Sequence, residues 1–431
     1  MLAHPAARTA RIHLLSPHRR TIYRKAMPAA SSSRPPKKGP SLSASLVLLA
    51  PLPTPAPDGH DYRVLLLKRH AQSRTYDSAH VMPGGNIDSI DLDSAAWASI
   101  FPSASNASPP STSSLTADKL LALRLCAIRE TFEESGLLLL KQQGSSFNSP
   151  QSRWDRLDPE EKTRWREAVH EDGKDFIQML RRLGGTLELG AEAKPAVDSL
   201  THWSNWVTPV ILPRRFDTHF FISVLPLPES SGSGVDTSAA TTAVHDSLVS
   251  SDGVETTSAD WLTPLEAIRR AIAHPARRAE SASPQPPSDI EPILLHPPQF
   301  NLLAELAHNH RTLASLLHPS ASSATPLVRP RRVVPLTPQI ANVTDDQGRE
   351  RKATVLPGDE EYQYDDEAVD PAPGVDRVGK RNRTYVMPPR KGQQGLVVEG
   401  CIRRGMVEVL GEGWEDMWAG EAGRAGEAAK L

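Results

Sequence analysis

Three glutamates, Glu130, Glu133 and Glu134, follow Arg129 directly and precede Gly136. At about 100° per residue they share one side of a helix, with Arg129 at the border. The opposite side carries a narrow apolar stripe of Leu121, Leu125, Ile128 and Phe132. Gly136 suits the left-handed position that ends a helix. Negative charge in the last two turns opposes the helix dipole, which favours cations there. Arg129 offsets one carboxylate through an i,i+4 pair with Glu133, worth a few tenths of a kcal/mol. A solvated acidic helix end would need nothing more. A chemical site would need a cation, and clustered carboxylate oxygens are what hard divalent ions such as Mg²⁺ bind. The residues that accompany the helix decide between the two.

Upstream runs Pro83-Gly84-Gly85-Asn86-Ile87-Asp88-Ser89-Ile90-Asp91. Together with the helix, this stretch resembles the Nudix box of the Nudix hydrolases. That box reads Gly, five residues, Glu, seven residues, then Arg-Glu-apolar-x-Glu-Glu-x-Gly-apolar. Gly85 fits its first position, and Arg129, Glu130, Glu133, Glu134, Gly136 and Leu137 fit its second half. Asp91 stands for the first Glu and Thr131 for an apolar residue, and 37 residues separate Asp91 from Arg129. The middle of that insertion, Pro102 to Ser114, is a Ser/Pro/Ala loop. Closing a flexible loop costs entropy only as the logarithm of its length, so both halves of the box can still meet.

A split box resembles the acyl-coenzyme A diphosphatase branch of that superfamily, the nucleoside-diphosphate-linked moiety X motif 19 type. Further segments match in order: Trp203-Ser204-Asn205-Trp206-Val207-Thr208-Pro209, Arg214 to Phe221, Pro297-Pro298-Gln299-Phe300 and Leu356-Pro357-Gly358-Asp359-Glu360. The resemblance covers roughly residues 44 to 365. A signature of coenzyme A-cleaving Nudix enzymes is half kept by Leu65, Leu66, Arg69, Arg74, Pro83, Gly84 and Gly85, and is broken at Leu67, His70, Ser78 and Met82.

The resemblance implies an α/β fold, a Nudix-type α/β/α sandwich with a mixed sheet. It implies hydrolysis of the diphosphate of coenzyme A or acyl-coenzyme A to 3′,5′-ADP and (acyl-)4′-phosphopantetheine, with Mg²⁺ or Mn²⁺. Glu133 and Glu134 would be the principal metal ligands, Glu130 a second-metal ligand or general base, and the Gly85 carbonyl a further ligand. Arg129 would orient Glu133. Arg69, Arg74, Arg214 and Arg215 are the candidate phosphate clamps, because guanidinium donates bidentate bonds to phosphate oxygens. Weaker candidates are Glu255 as a further carboxylate, His80 beside the Gly-Gly turn, and Trp203 and Trp206 for stacking. The alternatives are a Nudix enzyme acting on ADP-ribose or another nucleoside diphosphate derivative, and a non-catalytic Nudix binding module.

The elements that must position these groups are legible in outline. Ser43–Ala50 and Tyr62–Lys68 read as short apolar strands, and Thr116 as the N-cap of a helix running to Ser135. Trp154–Leu183 reads as an accessory helical pair. Trp206–Ile211 and Thr218–Leu225 read as strands, Asp260–Pro264 as the last strand with a closing helix over Leu265–Ala273, and Pro298–Leu317 as an amphipathic helix. With 39 Pro and 26 Gly gathered in Ser/Ala/Pro tracts, the 431 residues are expected to form one elaborated domain over 44–365. A basic segment (1–43) would precede it and a mostly irregular tail (366–431) follow it.

The net charge of −2 argues against nucleic acid held by bulk electrostatics. No apolar run reaches 18 residues, so no membrane span is expected. Two cysteines, Cys126 and Cys401, exclude a disulfide framework. The final Ala429-Lys430-Leu431 resembles the tripeptide read by the peroxisomal import receptor. The arginines before Asp58 resemble a mitochondrial presequence, which a start at Met27 would largely remove. The expected address is the peroxisome, with the mitochondrion as the alternative.

Overall fold

The computed structural model describes residues 39–71, 78–98, 100–101, 115–141, 149–184, 193–212, 214–226, 245–253, 255–273, 291–318, 327–364, 370, 372–387, 396–410 and 417–418. Arg74, residues 102–114 and the terminal tripeptide lie outside them. The chain opens with β1 (Ser41–Pro51), β2 (Tyr62–Arg69), β3 (His80–Val81), β4 (Gly84–Asn86) and two single-turn helices, α1 (Ser89–Leu92) and α2 (Ser94–Trp97). Then come α3 (Ala117–Ser135), α4 (Pro150–Arg156), α5 (Pro159–Glu171) and α6 (Lys174–Gly184). Next are β5 (Thr201–Val207), β6 (Phe216–Val224), β7 (Thr256–Leu262), α7 (Pro264–Ile272), α8 (Pro297–Asn309), α9 (Leu313–Leu316) and β8 (Pro335–Leu336). The last elements are β9 (Gln339–Thr344), β10 (Glu350–Val355), β11 (Arg381–Met387), β12 (Val397–Arg404), α10 (Val407–Leu410) and β13 (Met417–Trp418).

A mixed sheet in the order β3-β2-β1-β6-β5-β8 forms the centre, with β4 beside β1 and β7 beside β2. β1 is buried from Ser43 onward, and its second half, Leu46 to Pro51, reads as an unbroken apolar run rather than an alternating one. Its even residues, Ala44, Leu46 and Leu48, pack with Leu123, Ile128 and Phe132 of α3 and with α4 to α6. Its odd residues, Val47 and Leu49, pack with Ile268 of α7 and Leu302, Leu303 and Leu306 of α8. The result is the expected α/β/α sandwich. One edge of β1 is shared: Leu49 to Pro51 pair with β2, and Ser43 to Ser45 pair with Asn86, Gly85 and Gly84 of β4. That sharing seats Gly84 and Gly85 in the sheet itself, beside the first half of β1.

Four element-level expectations need correction. The strand expected over Trp206–Ile211 lies at Thr201–Val207 instead, because Pro209 cannot donate to a ladder. Thr208 closes a turn there by accepting from Phe216 N–H and Arg215 Nε. The helical pair over Trp154–Leu183 is three helices, since Asp158-Pro159 starts α5 afresh and Gly173 separates α5 from α6. The helix over Pro298–Leu317 stops at Asn309, where Asp61 fastens the chain by donating to Arg311 O and accepting from Leu313 N–H. The expected irregular tail contains β11, β12 and α10. With β9, β10 and β13, the first two form a second, antiparallel sheet in the order β13-β12-β11-β10-β9. Val398, Cys401, Met406, Val409 and Leu410 from this region join the same core as Val47 and Phe300.

Candidate active site

α3 forms as the sequence dictates. Thr116 Oγ1 caps Lys119 N–H, and Gly136 at φ 73° ends the helix with its N–H on Phe132 O. The C-terminal half of α3 is largely buried, with Glu133 and Glu134 6% and 3% exposed. Phe132 anchors it between Trp154 and Phe176, at ring distances of 5.4 and 5.8 Å. The hydroxyl of Thr131 is satisfied within the helix by Ala127 O at 2.7 Å. The departure from an apolar residue at that position therefore leaves no polar atom stranded.

Folding reunites the two halves of the split motif. Asp91, in α1, takes the Arg129 guanidinium on both oxygens, Nε–Oδ1 at 3.1 Å and Nη2–Oδ2 at 2.9 Å. The same guanidinium reaches Glu133 Oε1 at 2.6 Å and Glu130 Oε1 at 2.9 Å, and donates to Asn86 O at 3.2 Å. Glu134 accepts the Gly84 N–H at 2.9 Å, and its other oxygen lies 3.8 Å from Arg69 Nη1. Arg69 also reaches Glu255 Oε2 at 3.4 Å. From α5, His170 Nδ1 stands 3.5 Å from Glu133 Oε2. The backbone beside Gly85 is crowded, for a methyl added there would meet Glu130 Oε2 at 2.3 Å. Only glycine lets the chain come this close to the carboxylate.

The electrostatics are unbalanced. Asp91, Glu130, Glu133, Glu134 and Glu255 face two guanidinium groups, Arg69 and Arg129. Burial, then Glu133 and Asp91, push Glu130 up to about 8 against the pull of Arg129. Burial likewise raises Glu133, and burial with Glu130 raises Glu134 well above the ordinary carboxylate range. Burial works against the charge of Arg129, but Glu130 and Asp91 outweigh it and hold the group charged. A hard divalent cation fits this donor set, because buried carboxylates in excess of their cations are relieved by one. Among the described residues no three His, Cys, Asp or Glu side chains are already gathered in a ligating arrangement. Arg129 instead draws Glu133 and Glu130 toward itself.

These groups form one wall of a cavity of about 840 Å³. Gly85, Arg129, Glu130, Glu133, Glu134, Arg69 and Arg214 all line it, together with Glu255. Arg215 does not. Its Nε donates to Thr208 O, so it braces the turn and is no phosphate clamp in this arrangement. His80 is buried in β3 with Nε2 3.9 Å from Asp260, a structural position. Trp203 lies under the Arg331 guanidinium at 4.2 Å, whereas Trp206 lines the cavity. Cys126 packs beneath the turn with Sγ 3.4 Å from Asn86 O. Asp359, in the Leu356–Glu360 segment, holds the buried Arg383 of β11 and is structural.

Three groups escaped the sequence reading. His170 and Arg166, from the accessory helix α5, carry no motif. Gln299 lines the cavity from α8, and only the Pro297-Pro298-Gln299-Phe300 segment hinted at it.

A mixed sheet with an acidic helix docked beneath a Gly-Gly turn is the arrangement of a Nudix hydrolase. The family model described as NUDT19 Nudix domain matches residues 105–275. Relatives named acyl-coenzyme A diphosphatase NUDT19 occur in Xenopus laevis and Gallus gallus. The frog protein is 34% identical over 58% of this chain and 60% of its own length, and the chicken protein 32% over 84% and 86%. The human protein of that name is 29% identical over 67% of this chain and 73% of its own. The chain belongs to the NUDT19 family of Nudix hydrolases.

Proposed function

We propose that this chain hydrolyses the diphosphate of coenzyme A or acyl-coenzyme A, giving 3′,5′-ADP and (acyl-)4′-phosphopantetheine, with Mg²⁺ or Mn²⁺ held by Glu130, Glu133, Glu134 and the Gly85 carbonyl. The observation that carries it is the reunion of Asp91 with Arg129 across the insertion, which seats three glutamates against the Gly-Gly turn in one cavity. The names of the frog, chicken and human relatives supply the substrate class.

When bound, the cation neutralises charge on the diphosphate and activates water. The chain's own groups do the rest. Asp91 fixes Arg129, and Arg129 pairs with Glu133 and Glu130, so both carboxylates are kept at the cavity, where a cation would compete with the guanidinium for them. Arg69 and Arg214 line the cavity as cationic contacts for phosphate oxygens. The purified chain should turn over coenzyme A and acyl-coenzyme A only with Mg²⁺ or Mn²⁺, and faster than ADP-ribose or NADH. Higher catalytic efficiency on ADP-ribose would hand the function to the alternative.

The Ala429-Lys430-Leu431 end supports import into the peroxisome. A fluorescent protein fused ahead of the chain should become cytosolic when those three residues are deleted. An unchanged distribution would remove this assignment.

A further inference from the structure

Besides its charged groups the cavity lining includes apolar residues, among them Val81, Met82, Phe220, Pro297 and Pro298. Two polar atoms of lining residues are unexplained. The indole Nε1 of Trp206 and the side-chain Oε1 of Gln299 are buried without a hydrogen-bond partner. The residues are 3% and 9% exposed, and both line the cavity. They come from different elements, β5 and the first turn of α8, so chain connectivity does not force them together. One atom can only donate, and the other accepts. Buried polar groups are nearly always paired, so an orphaned donor and an orphaned acceptor on residues lining one cavity point to a ligand that completes both.

We infer that Trp206 and Gln299 are the hydrogen-bonding pair for a secondary amide of the substrate. The indole N–H donates to the amide carbonyl and Gln299 Oε1 accepts from the amide N–H. The wall selects this chemistry. A phosphate offers acceptors alone and has no donor for Gln299 Oε1, and Pro297 and Pro298 at the start of α8 offer no N–H of their own. A ribose would bring several hydroxyls against apolar carbon and leave some unpaired. A secondary amide in an alkyl chain brings one donor and one acceptor, and its methylenes suit the remaining wall. The terminal amide of Gln299 turns readily about its last torsion, so it can meet an entering ligand.

This inference rests on the coenzyme A reading, since the pantetheine arm carries two secondary amides and ADP-ribose none. Within that reading it names the residues that recognise the arm rather than the nucleotide.

The test compares the wild type with Gln299→Met, which keeps the length of the side chain, and Trp206→Phe. KM and kcat for coenzyme A, inhibition by each product, and melting temperature are measured for all three proteins. KM should rise about tenfold in either variant, the worth of one neutral hydrogen bond. Inhibition by 4′-phosphopantetheine should weaken by the same factor, while inhibition by 3′,5′-ADP holds. Gln299→Met should melt no lower than the wild type, because it removes an unsatisfied buried atom. Equal weakening toward both products, or a lower melting temperature for Gln299→Met, would show a packing role and overturn the inference. So would unaltered kinetics in variants of a wild type that cleaves coenzyme A, and that outcome leaves the functional reading standing. A wild type active on ADP-ribose and inert toward coenzyme A overturns both.

Discussion

Gly84 and Gly85 are neighbours, yet a methyl group added to each meets different atoms. At Gly84 it would strike the backbone of β1, with Ala44 O at 2.3 Å and Ser45 Cα at 2.6 Å. At Gly85 it would strike the carboxylate of Glu130, the mobile end of a side chain. Gly84→Ala should therefore lower the melting temperature, because the β1–β4 pairing must part. Gly85→Ala should fold nearly as well and lose turnover, because Glu130 is pushed aside. Equal effects of the two on stability would contradict this division. At Glu133 and Glu134, replacement by Gln keeps shape and removes charge. Each should cost at least about a hundredfold in turnover, the scale of one lost electrostatic contact to a transition state. Wild-type rates in both folded variants would exclude them as metal ligands. Residue types and spacing were enough to find these glutamates and Arg129. The same spacing could not separate Arg214, which lines the cavity, from Arg215, which braces a turn. Adjacent arginines look alike until the backbone decides where each points. Asp91 was recognised by its place in the motif, but its grip on Arg129 spans the insertion and emerged only with the fold.

The acidic end of α3 posed a question that its own element does not answer, since its last turn contains no basic residue. The cation comes from α5. Arg166 donates through Nε to Glu133 O at 2.5 Å, and through its other nitrogens to Ser250 O, Ser250 Oγ and Ser251 O. It thus places positive charge at the helix C-terminus, where the dipole favours it. Burial works against the charge of Arg166, and Asp252 and Glu134 support it. Arg166→Gln should destabilise the protein by roughly 1–3 kcal/mol, combining a charge-assisted hydrogen bond with the dipole contact. Turnover should fall with it, because the last turn of α3 carries two site glutamates. Thermal melting and kcat measured together check this, and a variant that melts and turns over like the wild type would refute the assignment. Helices, caps and the Gly136 stop were legible because they are local. The partner of α3 was not, because nothing in the pattern of Trp154–Leu183 shows which face meets a helix end more than thirty residues earlier.

At the scale of the molecule, the second sheet belongs to the catalytic body. Its residues Thr354 and Ile340, with Leu396 just before β12, line the cavity, and Met406 and Leu410 lie in the main core. The irregular-tail expectation failed because Pro371, Pro373, Pro388 and Pro389 flank β11, and composition averaged over the region masks two short strands. A chain ended at residue 364 would expose that core, and should be insoluble or melt far below the full chain. The junction between the two sheets rests on Glu305 of α8, fully enclosed between Arg331 and Arg403 of β12. Asn301 of α8 adds a bond to Thr384 of β11. Burial raises the pKa of Glu305, but the two guanidinium groups outweigh it and the net shift is downward. A carboxylate whose folded pKa is depressed binds its proton less readily folded than unfolded. Its stabilisation is therefore complete above the ordinary carboxylate value and is lost as pH falls through the folded one. Glu305→Gln removes the carboxylate that two buried arginines share, which should cost roughly 3–5 kcal/mol near neutrality. The gap in stability between wild type and variant should then narrow as pH is lowered past about 4, where the unfolded chain takes up the proton. Denaturant unfolding of both proteins across that range checks the sign. A gap that stays constant or widens on acidification would mean that the charge of Glu305 does not hold the two sheets together.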